Sequence, residues 1–253
     1  MRLKQRINEE SNLDKLVDVL YSVIGDCQPF LKELGTVKPP QFLYSGRKTE
    51  DPWFEKDVRT DRRPTDTFIE LHKDLDEAFN KKFGWKPRSN GLFCTGYLND
   101  ATDYGTAYTI FPKGPFKIIW SRSIGDLYLR LSDMTTGMST SAKHENGIFK
   151  IFLDNTTYSN KYNKVPLTPE QIKEKVHEEY HKYINGIVGE YRDDKIMHAI
   201  GSHSEIMLNC KSYYAIKWHL YNNELRDFFK HYKNNYNMSK DEIRYIIAYN
   251  GEQ

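Results

Sequence analysis

The sequence predicts an α+β fold. Two observations carry that reading. Apolar residues recur at spacings of three and four near both ends of the chain and in two internal segments, which is helical periodicity. Short β-branched and aromatic runs, separated by Gly, Pro, Asn and Asp, cluster between them. The two kinds do not alternate regularly, which speaks against a doubly wound parallel sheet. The chain has 253 residues, 38% of them apolar and 14% aromatic, enough for one core with helical additions at its ends.

Leu13, Leu16, Val17, Leu20, Val23 and Ile24 share one helical face, and Gly25 is expected to end that helix. Gly35, Pro39 and Pro40 then break the chain, so residues 1–40 read as an N-terminal helical segment. A strand is expected at 41–47, followed by a charged stretch carrying Arg59, Arg62 and Arg63. Thr67 with Glu70 forms a capping box for a helix built on Phe68, Leu71, Leu75, Ala78 and Phe79, and Gly84 stops it. Strands are expected at 92–95, 107–111, 116–121, 127–131 and 148–153. Thr168, Pro169 and Gln171 open a second capped helix that runs to about Asn185. Strands at 205–208 and 212–218 are joined by the turn Asn209-Cys210-Lys211 and are expected to form a hairpin. Trp218, Tyr221, Leu225, Phe228 and Tyr232 line a last helical face, and Ser239 with Glu242 makes a third capping box. The main domain is thus expected over 41–218, with a C-terminal helical extension over 219–253.

Composition narrows the function classes. Lys plus Arg total 37 and Asp plus Glu 35, a net charge of +2, so no bulk basic excess points to nucleic acid. No apolar run approaches the ~18 residues that cross a bilayer, and the first ten residues carry no apolar signal core. Cys27, Cys94 and Cys210 form neither a disulfide framework nor a zinc knuckle. The expectation is a cytoplasmic protein with no membrane partner. No GxxxxGK[ST] loop, GxGxxG turn or GxSxG elbow occurs.

His177-Glu178-Glu179-Tyr180-His181 matches HExxH, which would make a zinc metallopeptidase if a third ligand joined it. Its charged neighbours Lys175, Glu179 and Lys182 fit a solvated helix face better, and the expectation is no metal. Ser139-Thr140-Ser141 reads as a loop. Lys81, Lys82, Lys86 and Arg88, interleaved with Phe83 and Trp85, form a basic-aromatic stretch of the kind that can stack single-stranded RNA, or simply a helix end.

A third constellation has parts that agree with one another. Phe42-Leu43-Tyr44-Ser45-Gly46-Arg47 is a strand ending at an Arg. Gly91-Leu92-Phe93-Cys94-Thr95-Gly96 is a strand ending in small polar residues, and it runs into Asn99-Asp100-Ala101-Thr102-Asp103-Tyr104-Gly105. Ser204-Glu205-Ile206-Met207-Leu208 puts a lone Glu at the start of a late strand. This order resembles the ADP-ribosyltransferase superfamily, in its toxin-like branch with an Arg, Ser-Thr-Ser, Glu signature. The segments VRTDRRPTDT and YGTAYTIFP also resemble phage-encoded members. The sequence departs from the pattern in three places. No Arg stands directly before Gly46, Cys94 and Gly96 replace the two serines around Thr95, and His203 occupies the position two before the Glu.

The resemblance implies two small, packed, mainly antiparallel sheets with an NAD cleft. It implies NAD as substrate, without a metal, and a macromolecular acceptor, protein or nucleic acid. An inhibitory or antitoxin partner is compatible with it. Glu205 would be catalytic. Arg47, Arg59, Arg62 or Arg63 would grip the diphosphate. Cys94 and Thr95 would brace the Glu and the nicotinamide ribose, and Tyr104 would pack on the nicotinamide. NAD glycohydrolase on the same pocket and a non-catalytic phage accessory protein remain alternatives.

Overall fold

The computed structural model describes residues 2–34, 41–64, 69–127, 129–131, 168–232 and 237–249. The break at 35–40, the Thr67 cap, Ser139-Thr140-Ser141 and the strand expected at 148–153 lie outside the described residues. In chain order the elements are α1 (Arg2–Asp26), α2 (Gln28–Leu34), β1 (Tyr44–Arg47), β2 (Trp53–Asp57), α3 (Ile69–Phe83), α4 (Pro87–Asn90) and β3 (Leu92–Cys94). They continue with α5 (Leu98–Thr102), β4 (Thr106–Pro112), β5 (Lys117–Ser121), α6 (Pro169–Gly189), β6 (Tyr191–Arg192), α7 (Ile196–Ile200), β7 (Ile206–Asn209), β8 (Ser212–Lys217), α8 (Trp218–Tyr232) and α9 (Lys240–Tyr249). The fold is α+β, and its strands form two small four-stranded sheets. Among the described residues no helix is long and apolar enough to cross a membrane.

The chain folds as two compact units. One comprises Met1–Val58, Phe93–Ile118 and Asp194–Gln253, and the other Arg59–Leu92 and Ile119–Asp193. In the first, a sheet of order β1-β4-β8-β2 is antiparallel throughout. Its register sets Tyr44 opposite Thr109 and Thr109 opposite Ile216. Side chains alternate across a strand, so this register sorts the sheet into two faces. Tyr44 and Phe111 lie on one face, under the helices. Tyr44 meets Trp218 edge-on at 5.2 Å, and Phe111 stacks on Phe229 at 5.7 Å. Phe30 of α2 meets Phe111 at 6.4 Å. Ser45, Arg47, Tyr108, Ala215, Tyr213 and Phe54 lie on the other face. There Phe54 packs on Tyr108 at 5.1 Å and on Tyr213 at 6.2 Å.

Residues 53–57 were not legible as a strand, because Glu55, Lys56 and Asp57 are exposed and charged. β2 is an edge strand, where charges discourage pairing with another chain. The expected hairpin of β7 with β8 does not form. β8 already has β4 and β2 as neighbours, so β7 has no edge to join and lies beside β3 in the other sheet. The expected strand at 127–131 is also absent, since its described residues are helical. Ile124, Leu127 and Leu131 are buried while Leu129 is 61% exposed, a spacing of three and four rather than two. Helix α1 continues through Gly25 to Asp26.

In the second unit Asp76 organises α4. Its carboxylate accepts the backbone N–H of Arg88 at 2.8 Å and of Ser89 at 3.0 Å, two of the donors a helix start leaves open. Lys82 Nζ donates to the carbonyls of Val188, Gly189 and Tyr191 at 3.0, 2.9 and 2.6 Å, closing the end of α6. The capping box of Thr168 and Gln171 starts α6, and that of Ser239 and Glu242 starts α9 in the first unit.

His72 is 4% exposed, its Nε2 lies 3.0 Å from Ser89 Oγ, and burial holds its pKa below the ordinary histidine value. A depressed histidine pKa means that the unfolded chain takes up a proton first as pH falls. This contribution to stability is therefore present above about pH 6.5 and is lost as pH falls below it. Urea melts at pH 7 and pH 5 are expected to show a smaller pH-dependent loss for His72→Gln than for the wild type. An equal loss in both would contradict the assignment.

Candidate functional site

Apart from Gly91 and Leu92, the residues of the third constellation belong to the first unit. Tyr44 N–H donates to the Thr95 carbonyl at 2.8 Å, and Thr95 N–H returns a bond to the Tyr44 carbonyl at 2.9 Å. Ser45 Oγ donates to the Phe93 carbonyl at 2.7 Å. These bonds set the end of β1 against the Cys94-Thr95 segment. A Cβ at Gly46 would overlap the Ala101 carbonyl oxygen and crowd Tyr104 Cβ, so a glycine before Arg47 is what lets α5 close on the strand. Thr95 Oγ1 donates to the Asp100 carboxylate at 3.2 Å and accepts the Tyr97 N–H at 3.1 Å, which fixes the entry into α5.

The segment after Thr95 is locked to the approach to Glu205. A Cβ at Gly96 would overlap the Ile200 carbonyl oxygen. The Tyr97 ring stacks on His203 at 3.2 Å, and its hydroxyl donates to the Gly201 carbonyl at 3.4 Å. Ser204 is buried, Glu205 is half-buried with Oε1 inside, and Ile206, Met207 and Leu208 anchor β7 in the core. Gly96→Ala therefore drives a methyl group into backbone and is expected to cost about 1–3 kcal/mol. A thermal melt of that variant matching the wild type would contradict the close approach.

Charge is concentrated here. Arg47 and Glu205 act on the Cys94 thiol with opposite signs, so both lie in its neighbourhood. Burial dominates and pushes the Cys94 thiol well up, and it pushes Cys210 up to about 12. Neither is a thiolate nucleophile near neutral pH. The Arg47 guanidinium sits 5.5 Å from the Tyr213 ring centroid. Its Nε and Nη2 are buried and make no hydrogen bond with the described residues. A buried charged donor without an acceptor is costly, and a ligand oxygen would satisfy it.

The other expected residues are placed differently. Arg59 and Arg62 belong to the second unit and are exposed. Arg59 pairs with Asp61 at 3.3 Å, and the Arg62 N–H donates to the Ser89 carbonyl at 3.1 Å. Arg63 is exposed in the same stretch. Tyr104 adjoins Gly46 but is 66% exposed. His177 and His181 bring their Nε2 atoms to 3.3 Å on an exposed helix face. Among the described residues no three His, Cys, Asp or Glu side chains are grouped to hold a metal. The basic-aromatic stretch is largely committed to packing, with Trp85 and Arg88 buried and Lys82 spent on carbonyls.

Sequence reasoning missed Tyr213, which reads as an ordinary core position of a strand, and the contact of Tyr97 with His203. Asp100 was legible only as part of a short motif. Comparisons with family models, with curated proteins and with solved structures found no match.

Proposed function

We propose that this chain is an NAD-dependent mono-ADP-ribosyltransferase. The observation that carries the reading is Arg47, a half-buried residue whose Nε and Nη2 are buried and lack acceptors among the described residues, sharing the Cys94 neighbourhood with Glu205. A guanidinium in that state suits a diphosphate, which it can take in two parallel hydrogen bonds. Glu205 then faces the nicotinamide ribose. As the bond between nicotinamide and C1′ breaks, nicotinamide leaves with the electron pair and positive charge builds on the sugar. A fixed carboxylate stabilises that charge and holds the ribose 2′-hydroxyl. The acceptor's nucleophile bonds to C1′ and releases its proton. Thr95, held by Asp100, braces the sugar side. Arg47 is preferred over Arg59, Arg62 and Arg63 because those three are exposed while two of its guanidinium nitrogens are buried.

The likeness to phage-encoded members extends the proposal to a toxin-type effector that modifies a host protein or nucleic acid. Incubation with NAD labelled in its adenylate part and a cell extract tests it. Label is expected in a macromolecular fraction. Label recovered only as free ADP-ribose makes the chain an NAD glycohydrolase, and unconsumed NAD contradicts both.

A further inference from the structure

The loop that follows Arg47 is pinned from beneath. Tyr108 Oη donates to the carbonyls of Thr49 and Asp51 at 3.2 and 2.6 Å. Lys217 is 4% exposed, and its Nζ donates to the Glu50 carboxylate at 2.6 Å and to the Glu50 carbonyl at 3.2 Å. Thr106 Oγ1, on the residue paired with Arg47 in the sheet, donates to the other Glu50 oxygen at 3.0 Å. Lys217 lies opposite Tyr108, and Tyr108 opposite Ser45, so the anchors and Arg47 share one face of one sheet. An exposed Lys–Glu pair would contribute little, but here the lysine is inside and only the Glu50 side chain is open, at 82%. A buried ammonium with one carboxylate partner fixes that partner's backbone far more firmly than a surface pair does.

We infer that Lys217, Glu50 and Tyr108 are positioning residues that hold the loop after Arg47 and so set the pose of its guanidinium toward the ligand's diphosphate. The inference rests on the reading of Arg47 proposed above. Nε and Nη2 of Arg47 make no hydrogen bond with the described residues, so the direction of the guanidinium leans on its backbone, on Tyr213 and on the loop that leaves it. Loosening that loop weakens ligand grip and leaves the Glu205 chemistry intact once the ligand is bound.

The test is steady-state NAD consumption, with NAD binding followed by calorimetry, for the wild type, Arg47→Lys, Lys217→Met, Glu50→Gln and Tyr108→Phe. Glu50→Gln keeps a side-chain oxygen for the Lys217 ammonium but not the charge, so thermal melts of Glu50→Gln and Lys217→Met accompany the kinetics, and KM is read at a temperature where each variant is folded. Glu50→Gln and Lys217→Met are each expected to raise KM for NAD about tenfold with kcat within about twofold. The double variant should be no worse than the poorer single one, because the two side chains act as one device. Wild type that takes up no NAD overturns the reading of the site and this inference with it. Wild type that binds, an Arg47→Lys variant that binds about 10–10² more weakly, and Glu50→Gln and Lys217→Met variants with unchanged KM overturn the positioning role alone. A fall in kcat at unchanged KM overturns it as well.

Discussion

Glu205→Gln is expected to lower NAD turnover by about 10²–10³ while the Kd for NAD changes little, because the lost charge acts mainly in the transition state. The substitution keeps the size of the side chain at a half-buried position, so the β7 anchor of Ile206, Met207 and Leu208 is untouched. Stopped assays of NAD consumption, with calorimetric binding on the same preparations, give both numbers. Equal loss of binding and turnover would make Glu205 a packing residue of the strand start. Full turnover in Glu205→Gln would leave the site without its proposed electrostatic element.

Arg47→Lys should do the reverse. Lysine keeps the charge but loses the planar fork, and a point charge cannot make the two parallel bonds a diphosphate accepts. NAD binding is expected to weaken by about 10–10², with the residual turnover at saturating NAD much less affected. The same substitution at Arg59, exposed and paired with Asp61, should leave both values near wild type. If Arg59→Lys is the damaging change and Arg47→Lys is silent, the diphosphate has been assigned to the wrong guanidinium.

Much of the fold could be read from local rules. The capping boxes at Thr168 and Ser239, the apolar faces of α1 and α8, and the strands around Cys94, Ala107 and Ile118 all follow from spacing and end signals. What failed was what depends on neighbours in space. Residues 53–57 carry edge-strand charges that mimic a loop, and residues 127–131 present apolar side chains that fit either period until Leu129 is seen exposed. The short connection at Asn209-Cys210-Lys211 suggested a hairpin, but pairing is settled by which sheet edge is open, and β8 has none.

The candidate site was legible as an order of motifs and not as a geometry. Sequence alone offered four arginines, and only burial separates Arg47 from the other three. Tyr213 and Lys217 were invisible as contributors because a strand residue gives no sign of which loop or guanidinium its tip will reach. Gly46 and Gly96 carry a signal that spacing rules do not read. Each stands where a carbonyl oxygen from α5 or α7 approaches the backbone, and a side chain at either would push the motifs apart.

The most direct test of the account is release of nicotinamide from NAD labelled in its nicotinamide ring, measured with the purified chain and a cell extract. The account predicts release by the wild type that falls by about 10²–10³ in Glu205→Gln. No release by a folded wild-type chain, or release that is the same in Glu205→Gln, would contradict it.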